Sequence, residues 1–234
     1  MRILREQAAA LIIDVQERLF PHMQERDTLE SRLLTLIRGL QLLEVPLLVT
    51  QQYTKGLGAT IRSIRAALGW ESAREASDGS GANAAGSALA SDAARASPVG
   101  FAPAPANPSA SPAGTCRPPA EALQPPLLEK RAFSCCDEAE FTAALAALDR
   151  KRVIVAGIEA HVCVLQTVLD LLAGGYTPVV VADCVSSRCA FDRDIALRRL
   201  QTEGAIVTTC ESVLFELTRT SLADTFRAIS RLVK

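Results

Sequence analysis

Residues 153–166 read Val-Ile-Val-Ala-Gly-Ile-Glu-Ala-His-Val-Cys-Val-Leu-Gln. The unbroken apolar run Val153 to Ala156, stopped by Gly157, has the composition of a strand buried on both faces. A helix is expected from Val162 to Ala173, closed by Gly174 and Gly175, which suit a helix C-terminus. A fully buried strand feeding a helix is half of a parallel βαβ unit.

The same grammar extends outward. Ala8 to Ile13 is a short apolar run that ends in Asp14, and Leu29, Leu33, Leu36, Ile37 and Leu40 then lie on one helical face. Val45 to Thr50 is a second buried strand, with Pro46 near its start, where a missing N–H does least harm. Gln51 to Gly58 is expected as a polar loop, and Ile61, Ile64 and Leu68 as a short helix or turn. Later come a short strand at Leu127–Leu128, a helix from Asp137 to Arg150, a strand from Pro178 to Ala182 and a helix from Asp192 to Glu203. A strand from Ala205 to Thr208 and a helix from Ser221 to Leu232 finish the pattern. Strands alternating with helices predict an α/β fold: a three-layer α/β/α sandwich around a mostly parallel, Rossmann-like six-stranded sheet with right-handed crossovers.

Between 72 and 126 the composition changes. Nine of the chain's 12 prolines fall there, and the remainder is mostly Ala, Ser and Gly. Such a stretch buries too little apolar surface to offset its ordering entropy. The expected organisation is one domain over 1–234, interrupted by a disordered insertion at 72–126.

The chain has 234 residues and a net charge of −1, with 49% hydrophobic and 22% charged residues. That balance predicts neither nucleic acid nor an anionic membrane as partner, since both favour a basic face. No apolar run reaches the ~18–20 residues that span a bilayer. Met1 to Gln7 lacks a signal-peptide pattern, so a cytoplasmic location is expected, with an organellar address left open. Seven cysteines, an odd number, argue against a disulfide framework. Their spacing does not make a zinc site with His22 and His161, and neither a metal nor a cofactor is expected. Cys135, Cys136, Cys184, Cys189 and Cys210 read as small buried hydrophobes.

In open α/β sheets ligands bind outside the carboxyl ends of the strands. Asp14, Lys130 and Cys163 each follow a strand there. Cys163 stands at a predicted helix start, where free N–H groups and a nearby lysine favour a thiolate. A carboxylate is available to take its proton, which completes the parts of nucleophilic catalysis. His161 is too close in sequence to face Cys163 directly; a base role and a pocket-wall role are the two readings. Phe20, Tyr53 and Phe133 are either core aromatics or substrate contacts. Ser186, Ser187 and Arg188 follow a strand end and suit capping of the next helix.

The segments 10–20 (ALIIDVQERLF), 48–58 (LVTQQYTKGLG), 129–134 (EKRAFS), 155–166 (VAGIEAHVCVLQ) and 181–188 (VADCVSSR) together resemble the isochorismatase-like hydrolase superfamily, nearest its isochorismatase domain-containing branch. The resemblance covers nearly everything outside the insertion. It implies a catalytic triad of Asp14, Lys130 and Cys163, and a cis peptide at Ile158–Glu159. The oxyanion donors would be the backbone amides of Glu159 and Cys163. It further implies a small-molecule substrate held near Phe20, Gln51, Tyr53, Phe133 and His161, and a homo-oligomer. Nicotinamidases of that superfamily carry an Asp-x-His metal motif where this chain has Gln51-Gln52-Tyr53. Siderophore-pathway isochorismatases carry glycine where Cys163 stands. The expectation is a metal-independent cysteine hydrolase acting on a small amide, imide or related carbonyl compound. The alternative is a non-catalytic scaffold that uses the insertion, which deleting that segment would separate.

Overall fold

The computed structural model of the chain describes residues 2–70 and 124–234. The strands are β1 (Ala8–Ile13), β2 (Leu47–Gln52), β3 (Leu127–Lys130), β4 (Arg152–Ile158), β5 (Thr177–Ser186) and β6 (Ile206–Thr208). They form one six-stranded sheet in the order β3-β2-β1-β4-β5-β6, and every pairing is parallel. The expected α/β/α architecture is therefore the observed one.

Helices α1 (Arg26–Leu42), α2 (Thr54–Leu57), α3 (Arg62–Ala67), α4 (Ala139–Ala147), α5 (Leu165–Ala173), α6 (Ala190–Thr202), α7 (Cys210–Thr218) and α8 (Phe226–Leu232) cover the sheet. Side chains alternate across each strand. Ala10 and Ile12 of β1 join Leu33, Ile37 and Leu40 of α1 and Leu214 of α7 in one core. Leu11 and Ile13 join Phe141 of α4, Val168 of α5 and Leu200 of α6 in the other. A strand buried on both faces has no room for a polar alternation, which is why β1 and β4 are apolar along almost their whole length.

Several expectations shift. The final helix starts at Phe226, not Ser221, and α7 is an additional helix between β6 and it. Thr209 caps α7 by accepting from the Ser212 amide at 3.4 Å, so a capping signal was present in the sequence. The presumed loop after β2 begins inside the strand, because Gln51 and Gln52 belong to the ladder, and then makes the helical turn α2. The expected insertion lies outside the described residues except for 124–126, which are built into the fold. Gln124 Nε2 donates to Gly69 O (2.5 Å), Trp70 Nε1 to Pro125 O (3.2 Å) and Val49 N to Pro126 O (3.3 Å). These bonds bring the two ends of the intervening segment together.

Gly157 has a packing reason. It sits at φ +119°, and a Cβ there would lie 2.1 Å from the backbone oxygen of Ile13. Only glycine lets β4 approach β1 this closely, one residue before Asp14.

Candidate active site

Asp14 leaves β1 with a left-handed backbone (φ 52°) and is fully buried. A non-glycine residue in that region persists only where its surroundings hold it. Here the Asp14 amide donates to Thr50 O at 3.2 Å, and the Thr50 hydroxyl donates to Asp14 Oδ1 at 2.8 Å. Lys130, the last residue of β3, pairs its Nζ with Asp14 Oδ2 at 2.7 Å. The same ammonium donates to Gln52 Oε1 (2.5 Å), Phe133 O (3.0 Å) and Ala132 O (3.1 Å). Four oxygens thus surround a side chain that is 2% exposed.

Cys163 lies within the electrostatic reach of both members of this pair, the Asp14 charge raising its proton affinity and the Lys130 charge lowering it. The sheet therefore brings together three residues that are far apart in sequence. Burial raises the Asp14 carboxyl above its ordinary value, and Lys130 and Thr50 pull it back. For Lys130, burial acts to lower its proton affinity, but the charge of Asp14, the nearby thiols and the contact with Asp14 together outweigh it and the ammonium is strengthened.

The cysteine departs from expectation. Burial, followed by the neighbouring Asp14 charge, pushes the Cys163 thiol up to about 12, against the pull of Lys130. Burial and the Asp14 charge outweigh the anticipated activation, and Cys163 lies inside a π-helical turn, Ala160–Val164, that runs into α5 at Leu165. The resting group is a thiol.

The Ile158–Glu159 peptide is cis. Glu159 O accepts from the amides of Val162 and Val164, both at 3.1 Å. Its carboxylate is buried and accepts from Arg188 N (3.1 Å) and Nε (3.0 Å). His161 Nδ1 lies 2.9 Å from Ser187 Oγ. Ser186 Oγ donates to Gln24 O at 2.8 Å. Ser186, Ser187 and Arg188 thus clasp the cysteine turn and the loop before α1; the N-cap of α6 is Cys189, with no side-chain capping bond.

Of the other anticipated contacts, Tyr53 (41% exposed) and Phe133 (54% exposed) present surface, and Arg131 stacks 4.8 Å over the Tyr53 ring. His161 is half-buried. Gln51 is buried, and its amide is engaged by Thr60 (2.8 Å) and Thr54 (3.0 Å). Phe20 packs in the α1-side core. Cys189 is exposed rather than buried, and Cys136 only half-buried; Cys135, Cys184 and Cys210 are buried. Among the described residues no group of His, Cys, Asp and Glu is arranged to hold a metal. No helix among them is long and apolar enough to cross a membrane.

A doubly wound parallel sheet with a carboxylate, an ammonium and a thiol at its carboxyl edge defines an α/β protein with a candidate site at the usual ligand edge. The isochorismatase domain matches residues 8–212, and the chain belongs to that family. It is 28% identical to isochorismatase family protein 1B of Dictyostelium discoideum over 234 residues, 100% of this chain and 89% of that one. A Caenorhabditis elegans structure described as MAR1 ribonuclease superposes with a TM-score of 0.73 at 27% identity, covering 100% and 92% of the two chains. The Escherichia coli YcaC product, described as an octameric hydrolase of unknown specificity, shares the fold with a TM-score of 0.73 at 19% identity, covering 99% and 89%.

Proposed function

We propose that this protein is a metal-independent cysteine hydrolase of small amides, imides or related carbonyl compounds. The observation that carries the reading is the buried Asp14–Lys130 pair at 2.7 Å, whose two charges both act on the buried Cys163 thiol. Asp14 takes the thiol proton as sulfur attacks the carbonyl carbon, with the amides of Glu159 and Cys163 as the oxyanion donors. As the C–N bond breaks, the Asp14 proton goes to the leaving nitrogen and a thioester remains. Asp14 then removes a proton from water, the hydroxide displaces sulfur, and the proton returns to Cys163. Lys130 keeps Asp14 ionised inside the protein between these transfers. Tyr53, Phe133 and His161 are the proposed substrate contacts, with Phe20 and Gln51 supporting the loops behind them.

The test is mass-spectrometric. A panel of small amides and imides, with RNA included because one structural neighbour is described as a ribonuclease, is incubated with the protein and with Cys163→Ala. An acyl adduct on Cys163, with turnover lost in the variant and the fold kept, is expected. Turnover that survives Cys163→Ala, or RNA cleavage in place of amide hydrolysis, refutes the reading. Because Cys189 is exposed and Cys163 rests as a thiol, labelling by a simple alkylating agent is read site by site rather than as a total.

A further inference from the structure

Thr50 is the one polar residue between Leu47 and Val49 on the apolar side of β2 and the glutamines that end it, and it is 1% exposed. A buried hydroxyl in a central strand needs partners, and those it has are informative. Its oxygen accepts from Cys135 Sγ at 3.9 Å, a long contact that still fixes a direction. Burial and the Asp14 charge push the Cys135 thiol up to about 12, so that thiol keeps its proton and acts as the donor. The Thr50 hydroxyl proton is then free to point at Asp14 Oδ1, 2.8 Å away. Cys135 is itself pinned, because its amide donates to the buried Thr167 hydroxyl at 3.0 Å. The main chain repeats the grip: Thr50 O accepts from the Asp14 amide at 3.2 Å. One residue thus holds Asp14 by backbone and side chain together. Lys130 occupies Oδ2 from β3, and Cys163 approaches from the π-turn.

We propose that Thr50 is the positioning residue for the Asp14 base, fixing the carboxylate plane so that it faces the Cys163 thiol and keeping it ionised; the inference rests on the hydrolase reading above. The ionisable groups around Asp14 are Lys130 on β3, Cys163 on the π-turn and, through Thr50, Cys135 on the 3₁₀ turn Cys135–Asp137. None of the others replaces the hydrogen bond to Oδ1. Losing it removes an interaction that favours the charged carboxylate, so Asp14 holds its proton to higher pH.

The experiment measures alkylation of Cys163 by iodoacetamide, site by site, from pH 5 to 9. It needs no substrate. In the wild type the rate falls on the acid side as Asp14 takes up its proton. In Thr50→Val, which keeps the β-branched shape, that acid limb moves to higher pH and the rate at pH 7 drops about tenfold. Thr50→Ser, which keeps the hydroxyl, restores the wild-type profile. In an Asp14→Asn background, Thr50→Val has no further effect. An unmoved acid limb in a folded Thr50→Val overturns the inference and leaves the hydrolase reading standing. Wild-type labelling that is indifferent to Asp14→Asn removes both. Should Thr50→Val fail to fold, Thr50→Ala takes its place, and an unmoved acid limb in that folded variant overturns the inference equally.

Discussion

Lys130→Met removes the cation opposite Asp14 and keeps an unbranched stem of similar length. Both partners of the pair are almost wholly buried, at 2% and 0% exposed, and separated by 2.7 Å. Removing one member of such a pair typically costs ~3–5 kcal/mol, because the survivor is left as an uncompensated charge. The Ala132 and Phe133 carbonyls lose a donor but lie on a partly exposed turn, so water replaces much of that loss. About 4 kcal/mol at pH 8 is the expected deficit. Its pH dependence follows from the direction of the Asp14 shift. An acid whose folded-state proton affinity is raised contributes stability below its unfolded value, here 3.8, and loses it as pH rises through the folded-state value. Without Lys130 that value moves higher still, so the deficit should be largest at pH 8 and shrink towards pH 5 as Asp14 becomes neutral. Urea unfolding followed by circular dichroism at both pH values measures it, and Asp14→Asn combined with Lys130→Met should recover most of the loss. An equal deficit at both pH values, or a double variant no more stable than Lys130→Met, would refute the argument.

Gly157→Ala places a Cβ 2.1 Å from the Ile13 oxygen at φ +119°, so about 3 kcal/mol or more of stability should be lost in the same assay; a loss under ~1 kcal/mol would contradict the packing described. Replacing 72–123 with a short Gly-Ser linker should leave the unfolding midpoint nearly unchanged, since Gln124 and Pro125 already meet Gly69 and Trp70; a collapse of the midpoint would assign that segment to the fold. Phe191 (67% exposed) and Ile195 (44% exposed) lie one turn apart on α6 and offer an apolar face for the proposed homo-oligomer. Phe191→Glu with Ile195→Lys should lower the mass found by light scattering, and an unchanged mass excludes α6 as the contact.

The sheet was legible because parallel strands buried on both faces must be nearly all apolar, and Ala8–Ile13 and Val153–Ala156 leave few other readings. The strand ends put Asp14, Lys130 and Cys163 on one edge, and the family resemblance singled those three out. The electrostatics did not follow. Whether a cysteine beside a helix start is a thiolate depends on its burial and on a carboxylate 149 positions earlier in the sequence. Thr50 was passed over as one more strand residue, although a lone hydroxyl in an otherwise apolar strand is itself a request for a partner. The Glu159–Arg188 pair spans separate strand ends, and neither residue's neighbours predict it.

β3 has four residues, stands at the rim of the sheet and pairs only with β2. Rim strands fray before central ones. Lys130 rides on this strand, so each opening of its short ladder strips the counter-ion from an anion that stays locked between β1 and β2. The proposed acid–base cluster therefore shares the fate of a rim strand: loosening β3 is expected to silence the site while the central strands still hold.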